Sequence, residues 1–156
     1  MTQVFVDMDG VLADFDRHYA DVFGVAASKL TDDVDWKAVR AHKGFYENIP
    51  PMPDMEELWS FISGLRRPPI VLTGVPTSVE EAPENKRRWV QKHLGSHVEV
   101  RCCKSAEKYQ HAMPGDILID DWNKHRAKWL AVGGIWITHT CARTSIEALT
   151  AMGIRP

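Results

Sequence analysis

Apolar residues along this chain fall in short consecutive runs, separated by stretches where they recur every three or four positions. The runs are Val4 to Val6, Ile70 to Leu72, Val98 to Val100, Ile117 to Ile119 and Ile135 to Ile137. Short runs of this kind predict strands covered on both faces, as in a parallel sheet. Between them, Met55, Leu58, Trp59, Ile62 and Leu65 share one helical face, with Asp54 and Glu57 placed as a capping pair. Pro83 fits the first turn of a second helix, which Gly95 ends after Leu94. A third helix carries Trp129, Leu130 and Val132 up to Gly133-Gly134, and Ser145 is placed to cap a last one running to Met152. The alternation predicts an α/β fold: a doubly wound, mainly parallel, five-stranded Rossmann-like sheet in a single domain, residues 1–156.

One segment breaks the alternation. From Phe15 to Pro53 there is no strand pattern, only a helix-like start and a polar stretch dotted with Trp36, Phe45 and Tyr46. Long insertions in compact domains are usually functional, and disordered ones are poor in aromatics. Residues 15–53, approximately, are therefore expected to form a small helical cap inserted after the first strand.

The chemistry concentrates where strands end. Asp7-Met8-Asp9-Gly10 follows the first strand directly. Residues two apart on an extended chain face the same side, so Asp7 and Asp9 can converge at the carboxyl edge of the sheet, where ligands bind in doubly wound folds. Paired carboxylates repel each other and call for a cation, a shared proton or both. Asp120-Asp121 ends another apolar run and would bring four acids to one edge; Asp121 alternatively caps the helix near Lys124. Oxygen-only ligands suit magnesium better than zinc. Thr73-Gly74, at a third strand end, offers a hydroxyl and backbone N–H groups to a phosphate. The cation needed beside such a phosphate is Lys108, Lys86 or Lys104, with Lys108 placed just before the Asp120 strand.

Composition narrows the partners. A net charge of −2 with 26% charged residues gives no basic surface for long nucleic acid. Three cysteines, Cys102, Cys103 and Cys141, read as reduced thiols rather than a disulfide framework. No apolar run approaches the ~20 residues that span a bilayer. No leader is expected before Val4, so the expectation is a soluble, cytoplasmic protein, with the oligomeric state left open. His93 and His97 have helical metal spacing, but Gly95 between them ends that helix.

In their order, Asp-Met-Asp-Gly-Val, Leu-Thr-Gly, a late lysine and Ile-Leu-Ile-Asp-Asp resemble the haloacid-dehalogenase-like phosphatases over most of the chain. The opening through Phe15, the Gly44-Phe45-Tyr46 stretch before Pro50 and the Lys86–Gly95 helix resemble the 5′(3′)-deoxyribonucleotidase branch. The resemblance implies a magnesium-dependent phosphomonoester hydrolase with Asp7 as nucleophile and Asp9 as acid/base. It implies metal ligation by Asp7, the Asp9 carbonyl and the Asp120-Asp121 pair, with Asp121 the preferred direct ligand. Thr73, Gly74 and Lys108 would bind phosphate, and Phe15, Trp36, Phe45 and Tyr46 would line the substrate pocket. The substrate implied is a small phosphorylated metabolite, such as a (deoxy)nucleoside monophosphate. Another phosphomonoester, or a catalytically silent nucleotide-binding domain, are the competing readings. The chain departs from that branch in a longer stretch from Lys108 to Asp120, a shorter cap, and Gly74 in place of a serine.

Overall fold

In the computed structural model, which describes residues 1–156, five parallel strands form one sheet. They are β1 (Val4–Val6), β2 (Ile70–Gly74), β3 (Val100–Cys103), β4 (Ile117–Asp120) and β5 (Ile135–Thr138), in the order β3-β2-β1-β4-β5. The helices are α1 (Phe15–Phe23), α2 (Trp36–Ala41), α3 (Met55–Ser63), α4 (Ala82–His93), α5 (Arg126–Ala131) and α6 (Ala142–Ala151). Short 3₁₀ segments occupy Tyr46–Asn48, Ser105–His111 and Asn123–His125.

Alternation along β1 divides the core. Val4 and Val6 pack into a large cluster with Leu58 and Ile62 of α3, Trp89 of α4 and Leu149 of α6. Phe5 faces the opposite side, where it joins Leu72, Leu118 and Trp129 of α5. Helices thus cover both faces, and each fully buried aliphatic such as Leu58 or Ile62 contributes about 1.5–3 kcal/mol. The segment between β1 and α3 is helical, as its aromatics indicate. Trp89 ties it down by donating its indole N–H to the Ile49 carbonyl, 2.6 Å away.

Four strand predictions coincide with β1, β2, β4 and β5 to within two residues at their ends. The third is displaced: the strand is Val100–Cys103 rather than Val98 to Val100. Parallel pairing with β2 sets it, matching Val71 to Val100 and Gly74 to Cys103, while Val98 belongs to the turn after α4. That helix ends at His93, and Gly95 takes a φ of +119°.

Two capping expectations also fail. Asp54 precedes α3 but gives it no side-chain hydrogen bond. Its Oδ2 instead accepts from the Ala142 N–H at 2.6 Å, capping the distant helix α6. Ser145 lies inside α6, fully buried, with its hydroxyl 2.8 Å from His139 Nδ1. Both corrections come from α3 packing against α6, a contact no local pattern encodes.

Candidate active site

The strand order reverses between β1 and β4, and a doubly wound sheet opens its ligand crevice at such a reversal. Val6 pairs with Ile119, so the residues that follow each strand lie side by side. The Asp7 N–H donates to the Ile119 carbonyl at 2.9 Å, which fixes the height of Asp7 against Asp120. Beyond Asp7 the chain folds back in one tight turn, with Leu12 and Ala13 donating to the Met8 carbonyl at 2.9 Å. Gly10, at a φ of +82°, makes that turn.

Three lysines thread this group of acids. Lys108 Nζ lies 2.9 Å from Asp7 Oδ1 and 2.7 Å from Asp120 Oδ2. Lys86 Nζ donates to Asp9 Oδ2 at 2.7 Å, to Thr73 Oγ1 at 3.0 Å and to the Gly74 carbonyl at 2.6 Å. Lys29 Nζ donates to the Asp9 carbonyl and lies 3.2 Å from Asp121 Oδ1 and 3.6 Å from Asp7 Oδ2. Asp120 is further held by its Oδ1, which accepts from the Trp122 N–H at 2.9 Å. Asp9 Oδ1 is buried without a hydrogen-bond partner.

Electrostatics separates the acids. Burial pushes the Asp7 carboxyl up, but the ammonium groups of Lys108, Lys29 and Lys86 outweigh it and bring it down to about 2. Asp7 is therefore ionised throughout the neutral range. Burial also pushes Asp121 up; Lys29 opposes this, Asp7 and Asp120 add to it, and the result is about 7. Asp120 moves upward through burial and Asp7, against the pull of Lys108. Burial works against the charge of Lys108, yet Asp7 and Asp120 raise its pKa and keep it cationic. Burial lifts the thiols of Cys102 and Cys103, the latter to about 11, so neither is a thiolate at neutral pH.

The donor set fits a hard divalent cation. One carboxylate oxygen each from Asp7, Asp120 and Asp121 lies within 4.8 Å of the others, with the Asp9 carbonyl turned to the same point by its contact with Lys29. All are oxygens, as magnesium requires, and no histidine or cysteine belongs to the group. Asp120 spends both its oxygens on Lys108 and Trp122, which leaves Asp121 the better placed of the pair for direct ligation.

The acids open onto a cavity of about 370 Å³. No family model matches the chain. Two curated proteins, from Bordetella bronchiseptica (strain ATCC BAA-588 / NCTC 13252 / RB50) and Bordetella pertussis (strain Tohama I / ATCC BAA-589 / NCTC 13251), each carry the name "Putative 5'(3')-deoxyribonucleotidase". Each is 25% identical over an alignment of 141 residues that covers 76% of this chain and 73% of theirs. The crystal structure of a HAD family hydrolase from Deinococcus radiodurans R1, with bound phosphate and sodium, superposes at a TM-score of 0.51. That match has 12% sequence identity and covers 94% of this chain and 87% of the other. The fold is haloacid-dehalogenase-like.

Within that fold, Asp7, Asp9, Lys108, Asp120, Gly74, Trp36 and Tyr46 all reach the cavity wall, and Asp121 joins the acids beside it. Lys108, rather than Lys86 or Lys104, is the lysine on Asp7; Lys104 is exposed, 3.9 Å from Glu107. Thr73 is fully buried and gives its hydroxyl to Lys86, so the wall at this strand end is Gly74. Phe15 and Phe45 do not line the pocket. They are buried behind it, with their ring centroids 5.5 Å apart, and Phe15 supports Trp36 at 5.7 Å. An aromatic close in sequence to a site is often the packing that holds the exposed aromatic in place.

Sequence patterns missed Lys29, Tyr109, Trp122 and Trp136, all on the cavity wall. Trp122 follows Asp120-Asp121 immediately, and that adjacency was the available signal. Lys29 lies in an irregular loop between α1 and α2 and carries no local signal at all. No helix of the chain is long and apolar enough to cross a membrane.

Proposed function

We propose that this chain is a phosphatase of small phosphomonoesters, a nucleoside monophosphate among them, working through an aspartyl-phosphate on Asp7. The observation that carries the proposal is the pairing of an ionised Asp7 with Lys108 at 2.9 Å on the wall of a cavity at the sheet's switch point. A carboxylate flanked by a fixed cation, facing open space, is a nucleophile ready for an anionic electrophile.

In the reaction, Lys108 draws the phosphate dianion toward Asp7 and offsets the repulsion between them. A carboxylate oxygen of Asp7 attacks phosphorus as the bond to the leaving oxygen breaks. Asp9 supplies the proton that the leaving oxygen takes up; Lys86 engages Oδ2, so Oδ1 is the atom that carries it. Water then attacks the acyl-phosphate, Asp9 Oδ1 accepts its proton, and the Asp7–phosphorus bond breaks to release inorganic phosphate. Magnesium, held by Asp7, the Asp9 carbonyl and Asp121 with Asp120 alongside, would neutralise phosphoryl charge as a Lewis acid. The helical segment from Phe15 to Pro53 acts as a cap, bringing Trp36 and Tyr46 over the phosphate site.

The nucleotide preference rests on those two aromatics and on the printed name of the Bordetella relatives. Phosphate release from a panel of nucleoside monophosphates and sugar phosphates, with magnesium, tests both levels. Nucleotides should turn over fastest, and Asp7→Asn should reduce turnover by at least a thousandfold, since an amide forms no acyl-phosphate. Activity within tenfold of wild type in Asp7→Asn would overturn the mechanism. A preference for sugar phosphates would keep the chemistry and overturn the nucleotide reading.

A further inference from the structure

The three lysines divide the oxygens of the site between them. Lys108 and Lys86 take Asp7 Oδ1, Asp120 Oδ2 and Asp9 Oδ2. Lys29 takes the rest: the Asp9 carbonyl, Asp7 Oδ2 and Asp121 Oδ1. Those are the oxygens that fit a divalent cation, and the Lys29 side chain that reaches them is only 11% exposed. Magnesium holds its ligands at about 2.0–2.1 Å. An ammonium among the same oxygens and a dication cannot share that space, and their charges repel.

We infer that Lys29 is a tethered stand-in for the metal: its ammonium holds the cation position in the metal-free protein and leaves when the metal binds, carrying the 25–35 loop with it. The inference rests on reading these oxygens as a magnesium site. The loop is built to move as a unit, because its polar contacts close on themselves. Ser28 N–H donates to Asp33 Oδ1 at 2.7 Å, and Thr31 Oγ1 donates to the same oxygen at 2.8 Å. Lys29 is its link to the acids beyond β1 and β4. The loop also carries Asp32 and leads into Trp36, both on the cavity wall, so metal occupancy is coupled to the shape of the cavity mouth. Lys29 is thus a determinant of metal affinity: without it, the acids face the cation unneutralised.

Magnesium binding, measured by calorimetry on the whole protein, tests this without reference to turnover. Lys29→Met should bind Mg²⁺ at least tenfold tighter than wild type. In excess chelator it should melt lower than wild type, and saturating Mg²⁺ should close that gap. Magnesium should change the tryptophan fluorescence of wild type, and much of that change should vanish in Trp36→Phe. Lys29→Arg keeps the charge and should bind Mg²⁺ no tighter than wild type; circular dichroism confirms that each variant is folded. Equal or weaker Mg²⁺ affinity in Lys29→Met, while wild type binds the ion, would overturn the inference alone. An arginine variant that gains as much as the methionine variant would also overturn it. Failure of both wild type and Lys29→Met to bind Mg²⁺ would overturn the metal reading as well.

Discussion

Gly10 and Asp121 approach so closely that a β-carbon on Gly10 would lie 2.0 Å from Asp121 Oδ2. The Asp7-Met8-Asp9-Gly10 turn and the end of β4 therefore fit together only if position 10 has no side chain. Gly10→Ala adds a second cost, because a φ of +82° strains any residue with a β-carbon by about 1–2 kcal/mol. The expected outcome is a lower melting temperature and at least a hundredfold loss of turnover, with weakened Mg²⁺ binding in calorimetry. Unchanged metal affinity would show that Asp121 has room to step aside.

Lys86 is 1% exposed and joins Asp9, Thr73 and Gly74 across three elements. Removing one partner of a buried pair leaves the other charge uncompensated, which costs about 3–5 kcal/mol. Lys86→Met should therefore show a loss of that size in urea denaturation. Turnover should fall as well, since Asp9 loses the contact that orients it.

Trp36 and Phe15 should respond differently to truncation. Trp36 is 41% exposed on the cavity wall, whereas Phe15 is 1% exposed beneath it. Base–aromatic stacking is worth about 1–3 kcal/mol, or roughly ten- to two-hundredfold in kcat/KM. Trp36→Ala should lose that much on a nucleoside monophosphate and almost nothing on acetyl phosphate. Phe15→Ala should destabilise the protein by about 3–5 kcal/mol and weaken both substrates alike. Equal losses on both substrates in Trp36→Ala would make the tryptophan structural.

His18, buried against the Phe45 ring at 4.6 Å, links stability to pH. Burial pushes its pKa below 6.5; His42 adds to this, while the Phe45 carbonyl and Asp21 oppose it. The folded state thus binds fewer protons than the unfolded one near that pH. Its contribution is fully present above pH 6.5 and is lost as pH falls below that value. Melting curves at pH 7.5 and pH 5 should show a drop in wild type that is smaller in His18→Gln. An identical drop in the variant would move the effect to another group.

Asp54→Ala should cost about 1 kcal/mol through the start of α6, not α3. Hydrogen exchange reads this by helix: faster exchange in the first turn of α6, with α3 unchanged, is the expected pattern.

Local chemistry was enough for the strands and for the acids that follow them. Val4 to Val6 and Ile117 to Ile119 are apolar on consecutive positions because helices cover both faces of the central strands, and that burial is written into composition. Asp7, Asp9, Asp120 and Asp121 were legible for a related reason: an acid directly after such a run must leave the core at the sheet's edge. Tertiary structure decided what depends on distant approach. Val100–Cys103 became the strand because β2 offered its hydrogen bonds there, and Asp54 capped α6 because two helices far apart in sequence meet. Phe15 and Trp36 differ in nothing a local pattern can weigh, yet one packs beneath the wall and the other forms it. Lys29 is the extreme case. Its place among Asp7, Asp9 and Asp121 comes from a loop folding back over two strand ends, and a lysine in an irregular loop looks like any solvated charge until the chain closes around it.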